Sequence, residues 1–129
     1  MRVGTQVEGG ETVLVVEDES LILALTQSIL EHHGYQVHAF DNPTAALAWA
    51  ESFTGEIDLL ITDVVMPEMN GRELQQRIEA RHPAARCLFM SGYTADIMAL
   101  RGVESGGIHF IHKPFSVASL VRKVRDILD

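Results

Sequence analysis

Cysteine, aromatic residues and positive charge are all scarce in this chain, and each scarcity removes a class of function. A single cysteine, Cys87, lies within an apolar run, so a disulfide framework is excluded and the reducing cytoplasm is the expected compartment. The six histidines show no metal-ligand spacing on a shared element; His109 and His112, in a strand, point to opposite faces. A zinc or metal–sulfur centre is therefore not expected. No apolar run approaches the roughly 20 residues that cross a bilayer, and the amino terminus lacks a signal-peptide pattern, so no membrane contact is expected of this domain. Lysine and arginine number 10 against 18 acidic residues, a net charge of -8. Direct nucleic-acid binding wants a basic face, so that balance argues against it and suits an acidic pocket that recruits a cation.

What remains is a chain of 129 residues, 47% hydrophobic and 22% charged, the size and balance of one globular domain with a real core. It is organised around Ile57–Gly71, IDLLITDVVMPEMNG. Leu59, Leu60 and Ile61 form an apolar run long enough for a buried strand and too short for a helix. The run stops at Asp63, and Met66-Pro67 with Asn70-Gly71 then require a loop. An acid at the carboxyl end of a buried strand sits where open α/β sheets hold their ligands, although position alone is equally compatible with an acid that ends a strand or caps a turn.

The rest of the chain supplies the frame. Residues 1–11, with three glycines and no apolar period, read as a flexible linker ahead of a domain covering 12–129. Val13–Val16 reads as a strand that ends in Glu17-Asp18-Glu19. Ser20–His33 reads as a helix closed by Gly34, with Ile22, Leu25 and Ile29, and Leu30 beside them, as its expected core stripe. Tyr35–Phe40 alternates as a second strand, and Asn42-Pro43 starts an alanine-rich helix running to about Phe53. After the central strand, Asn70 caps a helix over 71–81 that Pro83 ends. Arg86–Met90 is the fourth strand, 95–101 a short helix, and Gly102–Gly107 a turn. Ile108–Ile111 is the fifth strand, and Ser116 caps a last helix with the stripe Leu120, Val124, Ile127 and Leu128. Five strands alternating with five helices predict right-handed crossovers and a parallel sheet covered on both faces, with a common strand order of 2-1-3-4-5.

In that order one rim of the sheet collects Glu17-Asp18, Asp63, Ser91 and Lys113-Pro114. Three carboxylates there repel one another unless a cation neutralises them, and hard oxygen donors suit Mg²⁺. Lys113 and Ser91 offer a point charge and a hydroxyl donor to phosphoryl oxygens, which makes Asp63 the natural nucleophile for an aspartyl phosphate. Each piece has a plainer role taken singly: the acids near a helix dipole, the others in turns. Four such pieces on one rim favour a common function.

Over about residues 12–128 the chain resembles the receiver domain of two-component response regulators. The matching pieces are VLVVEDE, LLITDVVMPEMNG, FMSGY and FIHKPF. The resemblance implies a flavodoxin-like (βα)5 fold and a Mg²⁺ site made by Glu17, Asp18, Asp63 and the Val65 main-chain carbonyl. It also implies Asp63 as phosphoacceptor, Ser91 and Lys113 in contact with the phosphoryl group, Phe110 as aromatic switch residue, and a cis Lys113-Pro114 bond. Glu17 stands where Asp is commoner in the family, Ser91 where Thr is, and Phe110 where Tyr is frequent. A phenylalanine switch works through packing alone. The lead-in GGETVLVVEDE and the pieces SGYTADIM and FIHKPFS resemble receivers at the carboxyl terminus of hybrid sensor histidine kinases.

The implied partner is a histidine kinase or a histidine phosphotransfer protein. Leu21 and Ala24, with Ser28, fall off the expected core stripe of the first helix and form the expected docking face. Val65 and Tyr93 are expected to flank the phosphate. Two other readings compete. A haloacid dehalogenase-type phosphatase also uses Asp, Ser or Thr, Lys and Mg²⁺, but its Asp-x-Asp arrangement is missing, since Val65 stands two residues after Asp63. A phosphorylation-independent interaction module would leave Asp63 unmodified.

Overall fold

The computed structural model describes residues 10–92 and 109–129. Within them, five strands form one parallel sheet: β1 Thr12–Val16, β2 Gln36–Phe40, β3 Leu59–Asp63, β4 Arg86–Ser91 and β5 Phe110–His112. The strand order is β2-β1-β3-β4-β5, as the sequence predicts. Four helices among the described residues cover it: α1 Ser20–His32, α2 Pro43–Ser52, α3 Gly71–Arg81 and α4 Val117–Leu128. The helix expected over 95–101 and the turn at 102–107 lie outside the described residues, as does Ile108 at the expected start of the fifth strand.

Side-chain alternation divides the core into two layers. Val13 and Val15 of β1 and Leu59 and Ile61 of β3 face α1 and α4, where Ile29, Leu30, Leu120 and Val124 meet them. Leu14, Val16 and Leu60 face the opposite side, packing with Ala46, Leu47, Leu74 and Ile78 of α2 and α3. A strand buried on both faces needs a continuous apolar run, and β3, whose five residues are all buried, has one as far as Thr62. The helix starts follow from short polar side chains: Asn42 accepts from the Ala45 amide, Asn70 from the Glu73 amide, and Ser116 from the Ser119 amide. Gly34 closes α1 at φ 92°, a conformation that costs a glycine little.

The core stripe of α1 differs from the expected one. Leu25, expected in the core, is 49% exposed. The buried positions are Thr26, Ile29 and Leu30, with Leu23 packed against them. Four bulky apolar residues crowd the first turns of this helix, Leu21, Ile22, Leu23 and Leu25, so more than one stripe can be drawn through them. The true one passes through a threonine. The Thr26 hydroxyl is buried without a hydrogen-bond partner, and that polar residue conceals the register from a hydrophobic pattern.

The described part of the lead-in is bound to the sheet. The Gly10 amide donates to the Gly34 carbonyl at 2.8 Å and the Gln36 amide to the Glu11 carbonyl at 3.0 Å. The Glu11 carboxylate meets Arg125 of α4 at 3.3 Å.

Candidate active site

The rim at the carboxyl ends of the strands follows from the register. Val15 lies beside Ile61 and Val16 beside Thr62, so one further step along both strands sets Glu17 next to Asp63. Asp63 pairs with Met90 and Ser91 with His112, which brings β4 and Lys113 to the same edge. The Lys113 amide donates to the Ser91 carbonyl at 2.9 Å, and the Lys113-Pro114 bond is cis.

The side chains converge as the sequence predicts. Glu17 is fully buried and Asp63 is 4% exposed. Lys113 Nζ lies 2.7 Å from Asp63 Oδ1, 2.9 Å from Glu17 Oε1 and 3.7 Å from Glu19 Oε1. The second oxygen of Glu17, Oε2, accepts from the Glu19 amide at 2.8 Å, at the start of α1. Both ends of that carboxylate are thus engaged. Asp18 is exposed, yet one oxygen each from Glu17, Asp18 and Asp63 lie within 4.8 Å of one another. A cavity of about 540 Å³ opens here, lined by Asp18, Asp63, Val65, Ser91 and Lys113 among others.

One lysine does not balance this much negative charge. Burial pushes the Asp63 carboxyl up to about 8; the neighbouring Glu17 adds to the rise and Lys113 opposes it. Burial works against the charge of Lys113, but the Asp63 and Glu17 carboxylates hold its ammonium above the ordinary lysine value. The donor set consists of hard carboxylate oxygens close together with charge to spare, which fits Mg²⁺. Cys87 takes no part: it is buried in the core, and burial raises its thiol well above the usual range.

The site also contains a residue whose role the sequence conceals. An added Cβ on Gly71 would lie 2.1 Å from the Asp63 carbonyl oxygen. The Gly71 amide donates to the Val64 carbonyl at 2.7 Å. The start of α3 therefore abuts the backbone of Asp63, and only a glycine permits that approach. The Asn70-Gly71 pair in the sequence signals a turn and a helix start but not this contact. Phe110 packs its partly buried ring against the α2–α3 layer and lies edge-on to His112 at 5.7 Å. Val65 is 60% exposed at the pocket mouth. Tyr93, expected beside it, lies outside the described residues.

The family model for the response regulator receiver domain matches residues 13–125. The chain belongs to that family. It is a receiver domain of two-component systems, and the phosphatase and interaction-module readings give way to that membership. Its relatives include the sensor kinase CckA of Brucella abortus (strain 2308), 36% identical over 97% of this chain and 13% of that protein. Another is the DNA-binding transcriptional regulator NtrC of Azospirillum brasilense, 34% identical over 92% of this chain and 24% of that protein. The chain thus spans less than a quarter of the length of both relatives. Among solved structures, the receiver domain from the hybrid histidine kinase CckA superposes with a TM-score of 0.77 at 31% identity, covering 92% of this chain and 99% of that one. The chemotaxis protein CheY4 of Vibrio cholerae gives a TM-score of 0.79 at 26% identity over 92% and 98% of the two chains. The likeness to hybrid-kinase receivers read from the sequence is present in both kinds of comparison.

Proposed function

We propose that Asp63 is the phosphoacceptor of this receiver and that Glu17, Asp18, Asp63 and the Val65 main-chain carbonyl hold Mg²⁺. One observation carries the reading: three carboxylates share a rim with one lysine, and that lysine contacts the buried acceptor at 2.7 Å. Bound Mg²⁺ would neutralise the carboxylates and the phosphoryl oxygens. An Asp63 carboxylate oxygen attacks phosphorus of a phosphohistidine, the phosphorus–nitrogen bond breaks, and the imidazole leaves with the electron pair and takes up a proton. Lys113 supplies a fixed positive charge to a phosphoryl oxygen and the Ser91 hydroxyl donates to another. Phosphoryl transfer is mainly positioning and charge stabilisation, and this rim offers both.

The new phosphate carries nearly two negative charges. It draws Ser91 inward and lets Phe110 fill the vacated space, so the switch works through packing. The partner is a histidine kinase or histidine phosphotransfer protein whose helical bundle covers α1 over Leu21 and Ala24. Leu21 is 84% exposed and Ala24 is also exposed, and the outward turn of Leu25 extends the same apolar face. Residues 12–129 form the receiver, 1–11 lead into it, a hybrid kinase is the parent protein, and the cytoplasm is the compartment.

Intact mass after incubation with a small phosphodonor should show one added phosphoryl group with Mg²⁺ and almost none with a chelator. An undiminished adduct in Asp63→Asn overturns the assignment. Leu21→Glu should slow transfer from a protein donor and spare the small donor; equal losses with both would place the damage in the pocket or fold.

A further inference from the structure

The loop between Asp63 and α3 is held on three sides. Inward, Val64 and Met66 are buried in the α2–α3 layer. At its base the Gly71 amide closes on the Val64 carbonyl. At its outer tip, Met69 donates its amide to the Pro67 carbonyl at 2.8 Å across Glu68, whose φ is 76°. That is a γ-turn with a non-glycine residue in the left-handed region, a strained arrangement that persists only where its surroundings hold it. Here the holder comes from another element. The Thr44 hydroxyl, in the first turn of α2, donates to Glu68 Oε1 at 2.9 Å. Because the acceptor is a carboxylate, this is a charge-assisted bond.

We propose that Thr44 and Glu68 act together as a brace that positions the Val64–Asn70 loop, and with it the Val65 carbonyl, for the metal ion at the Asp63 rim. Both are positioning residues; neither touches the pocket. The inference rests on the Mg²⁺-dependent receiver reading given above. Without the hydroxyl the turn relaxes, the loop samples conformations in which the Val65 carbonyl is turned from the pocket, and the ion binds to a smaller fraction of molecules.

Calorimetric titration of the full chain with Mg²⁺ alone tests the brace. Thr44→Val, which keeps the shape and loses the hydroxyl, should weaken binding about fivefold. Thr44→Ser, which keeps the donor, should bind like the parent. Glycine adopts a positive φ without strain, so Thr44→Val should have no further effect in a Glu68→Gly background. Unchanged affinity in Thr44→Val, equal loss in Thr44→Ser, or an undiminished loss in the Glu68→Gly background each overturns the brace. Failure of the parent protein to bind Mg²⁺ overturns the receiver-site reading and the brace with it; saturable parent binding with an unaffected Thr44→Val overturns the brace alone.

Discussion

At the amino end of the sheet, Asp58 accepts from the Thr12 amide at 2.8 Å, and Arg125 meets both oxygens of Glu11 at 3.3 Å and the Tyr35 hydroxyl at 3.0 Å. Arg125 also pairs with Asp129. Asp58 is satisfied by a backbone amide, Glu11 and Asp129 divide the two arms of the Arg125 guanidinium between them, and these charged groups stand half-exposed or exposed at the surface. At the carboxyl end, Glu17 and Asp63 are buried and share one lysine with Glu19, and Asp18 stands alongside. Charge at the amino end ties the lead-in to α4 and the sheet. At the carboxyl end it is left in excess, in a place where water cannot screen it well. A fold gains nothing from that excess by itself, which is why the second arrangement points to a ligand and the first does not.

The largest difference between the two ends is expected at Asp63. Asp63→Asn should reduce Mg²⁺-dependent phosphorylation by at least about 100-fold, measured as adduct formed per minute, because the amide is neither nucleophile nor full ligand. Next comes Lys113→Met. It strands buried carboxylates without their cation and should cost about 3–5 kcal/mol in denaturant unfolding at pH 8 without metal. Mg²⁺ should restore much of that loss, whereas no comparable rescue is expected for changes at the amino end.

A smaller effect sharpens the contrast through pH. Burial pushes the native Asp63 carboxyl up to about 8 from the ordinary aspartate value of 3.8, so between those values the native state binds more protons than the unfolded chain. The penalty for ionising Asp63 is therefore absent below the unfolded value and grows as pH rises toward 8. Metal-free Asp63→Asn should unfold at higher denaturant than the parent at pH 8, by about 1–2 kcal/mol, and the gap should narrow at pH 5 and vanish below about pH 4. A gap that widens on acidification would contradict the burial cause. The smallest effect is expected at the other end. Arg125→Met should cost no more than about 1 kcal/mol, as surface pairs do, and should be indifferent to Mg²⁺.

Sequence patterns carried the rim further than they carried the helices. Asp63, Glu17, Ser91 and Lys113 could be placed because at most one residue separates each from a short apolar run, and a parallel sheet brings all such positions to one edge. The α1 stripe failed where Thr26 takes an inward position and Leu25 an outward one, a case of packing overriding a pattern that fitted several registers. The approach of Gly71 to the Asp63 carbonyl and the Thr44–Glu68 bond were not legible. Both join parts of the chain whose distance in space depends on how α2 and α3 pack on the sheet. The exposure of Leu21 was legible, since it falls off either stripe.

Aspartyl phosphate is reduced by borohydride to homoserine, so the site of transfer can be read directly. Phosphorylated protein, trapped in this way and digested, should carry homoserine at position 63 only when Mg²⁺ was present during phosphorylation. Homoserine at another position, or a stable phosphate on Ser91 or a histidine with position 63 unchanged, would contradict the account.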